Sequence, residues 1–298
     1  LAGCGGSATP AQSSAPAPAS SKPADPAPVA SQPAADEGLN FAIIVKSYQS
    51  TYWLAAVKGA TAQMEAKGVT STFNGPNSES DIADQVQMFN DAINSKPDGI
   101  GLAACDPAAM LDSLQAAKDA GIPVIVFDSG IPNAPAGSVL ATASTDNYKA
   151  GVTAAEGIWK ALESRVKGAS GTVRIGVVNQ DATSESITSR GLGFIDKITE
   201  LCQAAGKKTA VVGNDYFVGK AKDKGDQASA NVIIEVRVPS QTTTELCATE
   251  ASAILNQSDT IGLFGSNQVS AEGILTANQN LGKLGSTDDK VIAVGFDA

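Results

Sequence analysis

From Asn40 onward, short apolar runs alternate with longer segments in which apolar residues return every three or four positions. The runs FAIIV (41–45), VTSTF (69–73), DGIGLA (98–103), PVIVF (123–127) and SVLAT (138–142) predict strands. Segments 51–67, 79–95 and 107–120 carry the helical period, and each is followed by Gly or by a turn containing Pro or Gly. The series then repeats. Thr145-Asp146-Asn147 supplies an N-cap for a helix over 148–165, followed by strand VRIGVV (173–178), helix 190–205 and strand VIIEV (232–236). Helix 241–255, strand TIGLF (260–264), helix 269–281 and strand KVIAV (290–294) complete it. Runs apolar on both faces and separated by helices make parallel sheets covered on both sides. Two such series joined near 143–147 predict an α/β protein of two Rossmann-like lobes, 39–145 and 146–298, each a parallel sheet flanked by helices, with a ligand cleft between them.

In open α/β sheets ligands sit beyond the carboxyl ends of the strands. That rule selects Lys46 to Trp53, Cys105 and Asp106, Asp128 and Ser129, Asn179 to Arg190, Ser266 and Asn267, and Asp297. No GxGxxG follows the first strand and no GxxxxGK[ST] occurs, so dinucleotides and nucleoside triphosphates have no support as ligands.

The first 38 residues break this pattern: they are rich in Ala, Ser and Pro, contain almost no large apolar residue, and predict a disordered linker. The opening Leu1-Ala2-Gly3-Cys4 resembles the lipobox of bacterial lipoproteins, which implies lipid modification at Cys4. Two or more acyl chains there, at about 0.8 kcal/mol per buried methylene, would hold the protein on the outer side of the cell membrane. No later stretch has the roughly 20 uninterrupted apolar residues of a membrane span. The chain carries 21 basic and 31 acidic residues, a formal charge of −10, and no histidine. That charge repels phosphate backbones, so nucleic acid is not an expected partner. The missing histidine removes Ser-His-Asp and Cys-His relays and imidazole-bound zinc. No cofactor is expected.

VIVFDS (124–129), TDNYKAG (145–151), RGLGF (190–194), FGSNQ (264–268) and VGFDA (294–298) stand in the order and spacing of ribose-type sugar-binding proteins. On these motifs the chain, from about 39 to 298, resembles the type 1 periplasmic binding proteins that serve ABC importers. The resemblance implies sugar contacts from Asp128, Arg190, Asn267 and Asp297, and an aromatic sandwich from the loop KSYQSTYW, whose matching positions are Tyr52 and Trp53. Lys46, directly after the first strand, is a further candidate, with a solvated loop charge as the alternative. Ser129 stands where ribose binders carry an arginine and Ser50 where they carry an asparagine, so a ligand other than ribose is implied.

Such residues suit a sugar. Ionised Asp and Arg satisfy several hydroxyls with charge-assisted bonds, and an indole or phenol covers the weakly apolar C–H faces of the ring. Alternatives stand beside each assignment. Asp128 caps a loop, Arg190 pairs with Glu185 or Asp196 on the surface, Trp53 belongs to a core as Trp159 does, and Asn267 only caps the next helix.

Gly206 to Asn231, including KAKDKGDQ (220–227), reads as a polar surface insertion. Cys202 and Cys247 invite a disulfide, but the usual strand order puts them on opposite faces of the sheet, and Cys105 reads as buried. Family members continue well past the GFD motif, so the second lobe reads as incomplete and the protein as C-terminally truncated. The function implied is capture of a small sugar or sugar-like ligand by cleft closure, as a monomer that delivers to an ABC permease. A sensory receptor for a sugar-like signal of the autoinducer-2 type is the alternative. A regulator's effector domain lacks its basic helix-turn-helix, and a glycoside-processing enzyme needs one carboxyl tuned as an acid.

Overall fold

In the computed structural model, which describes residues 38–297, the apolar runs become the strands of two parallel five-stranded sheets. Cys4 and the Ala/Ser/Pro stretch lie outside the described residues.

The first sheet comprises β1 (Asn40–Ile44), β2 (Thr70–Asn74), β3 (Gly99–Leu102), β4 (Val124–Phe127) and β5 (Ala141–Ala143), in the order β2-β1-β3-β4-β5. Helices α1 (Thr51–Ala66), α2 (Ile82–Asn94) and α3 (Leu111–Asp119) connect them, α3 being led in by a 3-10 turn at Ala108–Met110. On one face Ala42, Ile44, Ile100, Leu102, Val124 and Val126 pack with Phe89 of α2 and Leu114 of α3 into the core of this lobe.

The second sheet has the order β10-β9-β6-β8-β7, from β6 (Val173–Val178), β7 (Thr209–Gly213), β8 (Val232–Arg237), β9 (Thr260–Gly265) and β10 (Ile292–Gly295). Its helices are α4 (Asn147–Gly168), α5 (Glu185–Ala204), α6 (Asp215–Lys220), α7 (Thr244–Leu255) and α8 (Gln268–Leu281). One core lies on each face: Leu162, Phe194, Ile198 and Phe264 on the α4/α5 side, and Cys247, Ile254, Leu263 and Ile274 on the α7/α8 side. Asp146 caps α4 by accepting from Lys149 N, as the Thr-Asp-Asn signal predicts.

Three expectations change. The stretch 206–231 is not simply a surface insertion, because it contains the edge strand β7 and the short helix α6, whose Phe217 is fully buried. Only the exposed segment after α6 is a polar loop, and it folds back so that Val211 N donates to Lys224 O at 2.9 Å across the edge of β7. That arrangement covers a strand edge that would otherwise be open. Helix α5 begins at Glu185, five residues before the predicted start, which puts Arg190 inside the helix and not at its opening. The 79–95 helix begins at Ile82, which frees Glu79 for the loop. Cys105, Cys202 and Cys247 are buried free thiols. Cys202 and Cys247 belong to cores on opposite faces of the second sheet, as strand order requires, and burial pushes both thiols up to about 12.

Candidate functional site

The loops after β1, β2, β4, β6, β9 and β10 converge between the lobes, at the carboxyl ends of both sheets. They form a partly open cleft lined by Lys46, Ser50, Tyr52, Trp53, Glu79, Asp128, Ser186, Ile187, Arg190, Asn267, Gln268, Val269 and Asp297.

One wall is built on a buried charge. Asp128 ends β4 in the left-handed region, at φ 64°, a conformation Asp adopts more readily than most residues, and this turn directs the chain away from the strand. Its Oδ2 lies 2.7 Å from Lys46 Nζ, and the lysine side chain is 1% exposed. The ammonium also donates to Ser129 Oγ at 2.6 Å, to Ser184 Oγ at 2.7 Å and to Ser186 Oγ at 3.1 Å. Ser184 and Ser186 come from the second lobe, so this cluster joins the two. Taking an ammonium out of water is unfavourable by several kcal/mol unless its donors are met, and here the oxygens around it meet them. Burial alone would lower the Lys46 pKa, but Asp128, Glu79 and Asp181 together raise it. Burial would raise the Asp128 carboxyl, and the ammonium and the Ser129 hydroxyl outweigh it and hold that carboxyl below its ordinary range. Asp128 is therefore a fixed anion at neutral pH and no proton donor.

Arg190 forms the opposite wall. Its Nη1 donates to Ser266 O at 2.7 Å, its Nη2 donates to Asn147 Oδ1 at 2.7 Å, and its guanidinium carbon stacks 3.7 Å from the centre of the Phe296 ring. The Asp297 carboxylate is 3.6 Å from Nη1. Arg190 Nε is buried without a partner. Burial raises the Asp297 pKa and Arg190 only partly offsets it, while burial lowers that of Arg190 against the pull of Asp297 and Asp128. The surface pairing of Arg190 with Glu185 or Asp196 does not occur, because α5 turns this side chain inward.

A polar chain runs across the floor. Trp53 Nε1 donates to Glu79 Oε1 at 2.8 Å, Gln180 Nε2 donates to Glu79 Oε2 at 3.0 Å, and Asn267 Nδ2 donates to Gln180 Oε1. Asn267 also caps α8 in a reciprocal box with Ser270. Tyr52 meets Trp53 edge-on, with ring centres 5.0 Å apart. Burial pushes the Glu79 and Asp181 carboxyls up, Lys46 being the main opposing influence on each.

Of the residues singled out from sequence, Lys46, Ser50, Tyr52, Trp53, Asp128, Arg190, Asn267 and Asp297 line the cleft. Ser129 is fully buried behind it, in the Lys46 cluster. Lys46 is not a solvated loop charge. Trp53 is both cleft wall and core, at 3% exposure, and Trp159 is half-buried against the α4/α5 core. Glu79, Gln268 and Val269 were missed. The rule of looking just past each strand reaches Glu79 once the loop after β2 is extended to residue 81. Among the described residues no group of three or more His, Cys, Asp or Glu is placed to hold a metal ion.

Comparison with known proteins agrees with this architecture. Residues 41–298 match the family described as periplasmic binding protein domain. The multiple sugar-binding periplasmic receptor ChvE of Rhizobium radiobacter is 32% identical over 125 residues, 42% of this chain and 34% of that protein. The D-allose-binding periplasmic protein of Escherichia coli (strain K12) is 24% identical over 262 residues, 86% of this chain and 72% of that protein. Among solved structures, an ABC transporter solute binding protein from Agrobacterium vitis with bound D-fucose superposes with a TM-score of 0.69 at 31% identity, covering 87% of this chain and 77% of its own.

Proposed function

The chain belongs to the periplasmic binding protein domain family, one of binding proteins and not of enzymes, and on that footing we propose that its cleft captures an uncharged sugar by closing the two lobes over it. The observation that carries this reading is the inventory of groups left open in the cleft. Asp297 lines the cleft and no hydrogen bond among the described residues is donated to its carboxylate, while the Arg190 guanidinium stands 3.6 Å from it. A hydroxyl that both donates and accepts bridges such a carboxylate and guanidinium. Tyr52 and Trp53 supply the aromatic surface a sugar ring covers. Lys46 is consumed by Asp128 and the serines and Arg190 is set against Asp297, so a sugar acid would find no unpaired cation in the cleft. The sugars in the names of the relatives, D-allose and D-fucose, are neutral.

A thermal-shift panel of D-fucose, D-allose, D-ribose, D-galactose and D-glucuronate tests this. A ligand at 100 times its dissociation constant adds about 2.7 kcal/mol of stability. Stabilisation by a neutral sugar and none by D-glucuronate is expected. A panel in which only the acid stabilises, or in which nothing does, contradicts the proposal.

Within the same proposal, the captured sugar is handed to an ABC permease, and Cys4 carries the lipid that keeps a monomeric receptor near it. Labelled fatty acid incorporated into wild type and not into Cys4→Ser is the expected result, and equal labelling removes the anchor from the account.

A further inference from the structure

Of the carboxylates lining the cleft, Glu79 is the one whose two oxygens serve different lobes. Oε1 accepts from Trp53 Nε1 at 2.8 Å within the first lobe, and Oε2 accepts from Gln180 Nε2 at 3.0 Å in the second. Gln180 cannot turn its amide round without loss, because its oxygen already accepts from Asn267 Nδ2. Asn267 is fixed in turn, since its own Oδ1 accepts from Ser270 N at 3.2 Å at the start of α8. Both neighbours of Glu79 therefore present donors, and only a group with acceptors on both sides satisfies them. Gln180 is fully buried and Trp53 nearly so, so a donor left unmet here is not rescued by bulk water.

We propose that Glu79 is the positioning residue of the cleft, a two-sided acceptor that fixes the Trp53 indole in the ligand wall and ties it to the second lobe through Gln180 and Asn267. The aromatic surface is then set as the lobes meet, which couples ring orientation to closure. The assignment rests on the cleft being the ligand site, but its test needs no ligand.

The chain has two tryptophans, Trp53 and Trp159, so the full chain carrying Trp159→Phe reports on Trp53 alone. Acrylamide quenching of that fluorescence is compared in this parent, in Glu79→Ala, in Gln180→Glu and in the double variant Glu79→Gln/Gln180→Glu, with circular dichroism to confirm folding. Gln180→Glu sets two carboxylates against each other. The double variant restores the bonds from Trp53 to Asn267 by exchanging donor and acceptor: an amide oxygen faces Trp53, its nitrogen faces the new carboxylate, and that carboxylate still accepts from Asn267. The bond from Gln180 Nε2 to Asp181 Oδ2, 3.2 Å long, is lost equally in Gln180→Glu and in the double variant, so the comparison between those two isolates Glu79. Severalfold stronger quenching in Glu79→Ala and in Gln180→Glu, with a return toward the parent in the exchange variant, is expected. Parent-like quenching in either single variant, or an exchange variant no better shielded than Gln180→Glu alone, overturns the proposal. Because the readout is sugar-free, its failure is distinct from a failure of the sugar panel.

Discussion

At the scale of single residues, Lys46 and Asp128 form an ion pair with the lysine fully buried. Removing one member of a buried ion pair leaves the other without compensation, at a cost of about 3 to 5 kcal/mol. The Asp128 side chain is 18% exposed, so Asp128→Asn, which also keeps a residue tolerant of positive φ, belongs at the lower end of that range. Urea denaturation should show a loss of about 3 kcal/mol; a midpoint within error of wild type would mean the pair is not formed in solution. Its pH dependence has a definite sign. A folded-state pKa depressed at Asp128 contributes stability above the ordinary aspartate range, lost as the pH falls through the depressed value. The raised Lys46 contributes below the ordinary lysine range and loses it as the pH rises through the raised value, so the pair is intact throughout the neutral range. Asp181 acts in the opposite sense. Raised chiefly by burial, it withdraws stability as the pH rises through its folded value. Asp181→Asn keeps the acceptor used by Thr183 N at 3.0 Å and Ser184 N at 2.9 Å. Melting temperatures followed upward from the ordinary aspartate range should fall less steeply with rising pH in that variant, and a slope equal to that of wild type would remove Asp181 from this role.

At the scale of elements, two glycines decide how closely α4 and α5 approach, and with that where Arg190 stands. A Cβ on Gly151 would lie 2.0 Å from Arg190 O, and one on Gly193 would lie 2.0 Å from Tyr148 O. Both obstacles are backbone, which cannot swing aside. Overpacking of this kind costs about 1 to 3 kcal/mol, and Gly151→Ala should reach the upper end while weakening sugar binding by shifting Arg190. Gly157, on the same helix, has open space around it. Gly157→Ala should therefore stabilise by roughly 0.5 to 1 kcal/mol. Thermal melts of the pair check this, and equal shifts in one direction would contradict the helix contact. These glycines lie in TDNYKAG and RGLGF, which were legible in the sequence as motifs but not as packing surfaces, since the close approach is a property of two helices together. The apolar strands were legible because burial on both faces leaves a continuous hydrophobic run, as in VRIGVV and VIIEV. The strand TAVVG, residues 209–213, was missed because only its first part is buried and a charged loop follows its helix. Glu79 was lost to a helix boundary placed three residues early. The serine partners of Lys46 were out of reach altogether, because Ser184 and Ser186 lie more than a hundred residues away in the chain.

At the scale of the whole molecule, the lobes meet through direct bonds and not through a single hinge contact. Gly130 N donates to Glu185 Oε2 at 3.1 Å, Thr242 N donates to Ser80 Oγ at 3.1 Å, and Gln268 Nε2 donates to Thr51 Oγ1 at 2.8 Å, all in addition to the Lys46 and Glu79 clusters. Two lobes so joined form a clamp, and a ligand that adds bonds only when they meet shifts the clamp toward closure. The central claim is that this cleft, and no other part of the surface, holds a neutral sugar. Isothermal titration of the full chain with D-fucose and D-allose, in wild type and in Arg190→Ala, tests it most directly. Losing a hydrogen bond to a charged group costs about 1.5 to 3 kcal/mol, or roughly ten- to a hundredfold in affinity. The account predicts saturable binding of at least one of the two sugars by wild type, and a loss of at least about tenfold in Arg190→Ala. Absence of binding in wild type, or equal affinity in the two proteins, would contradict it.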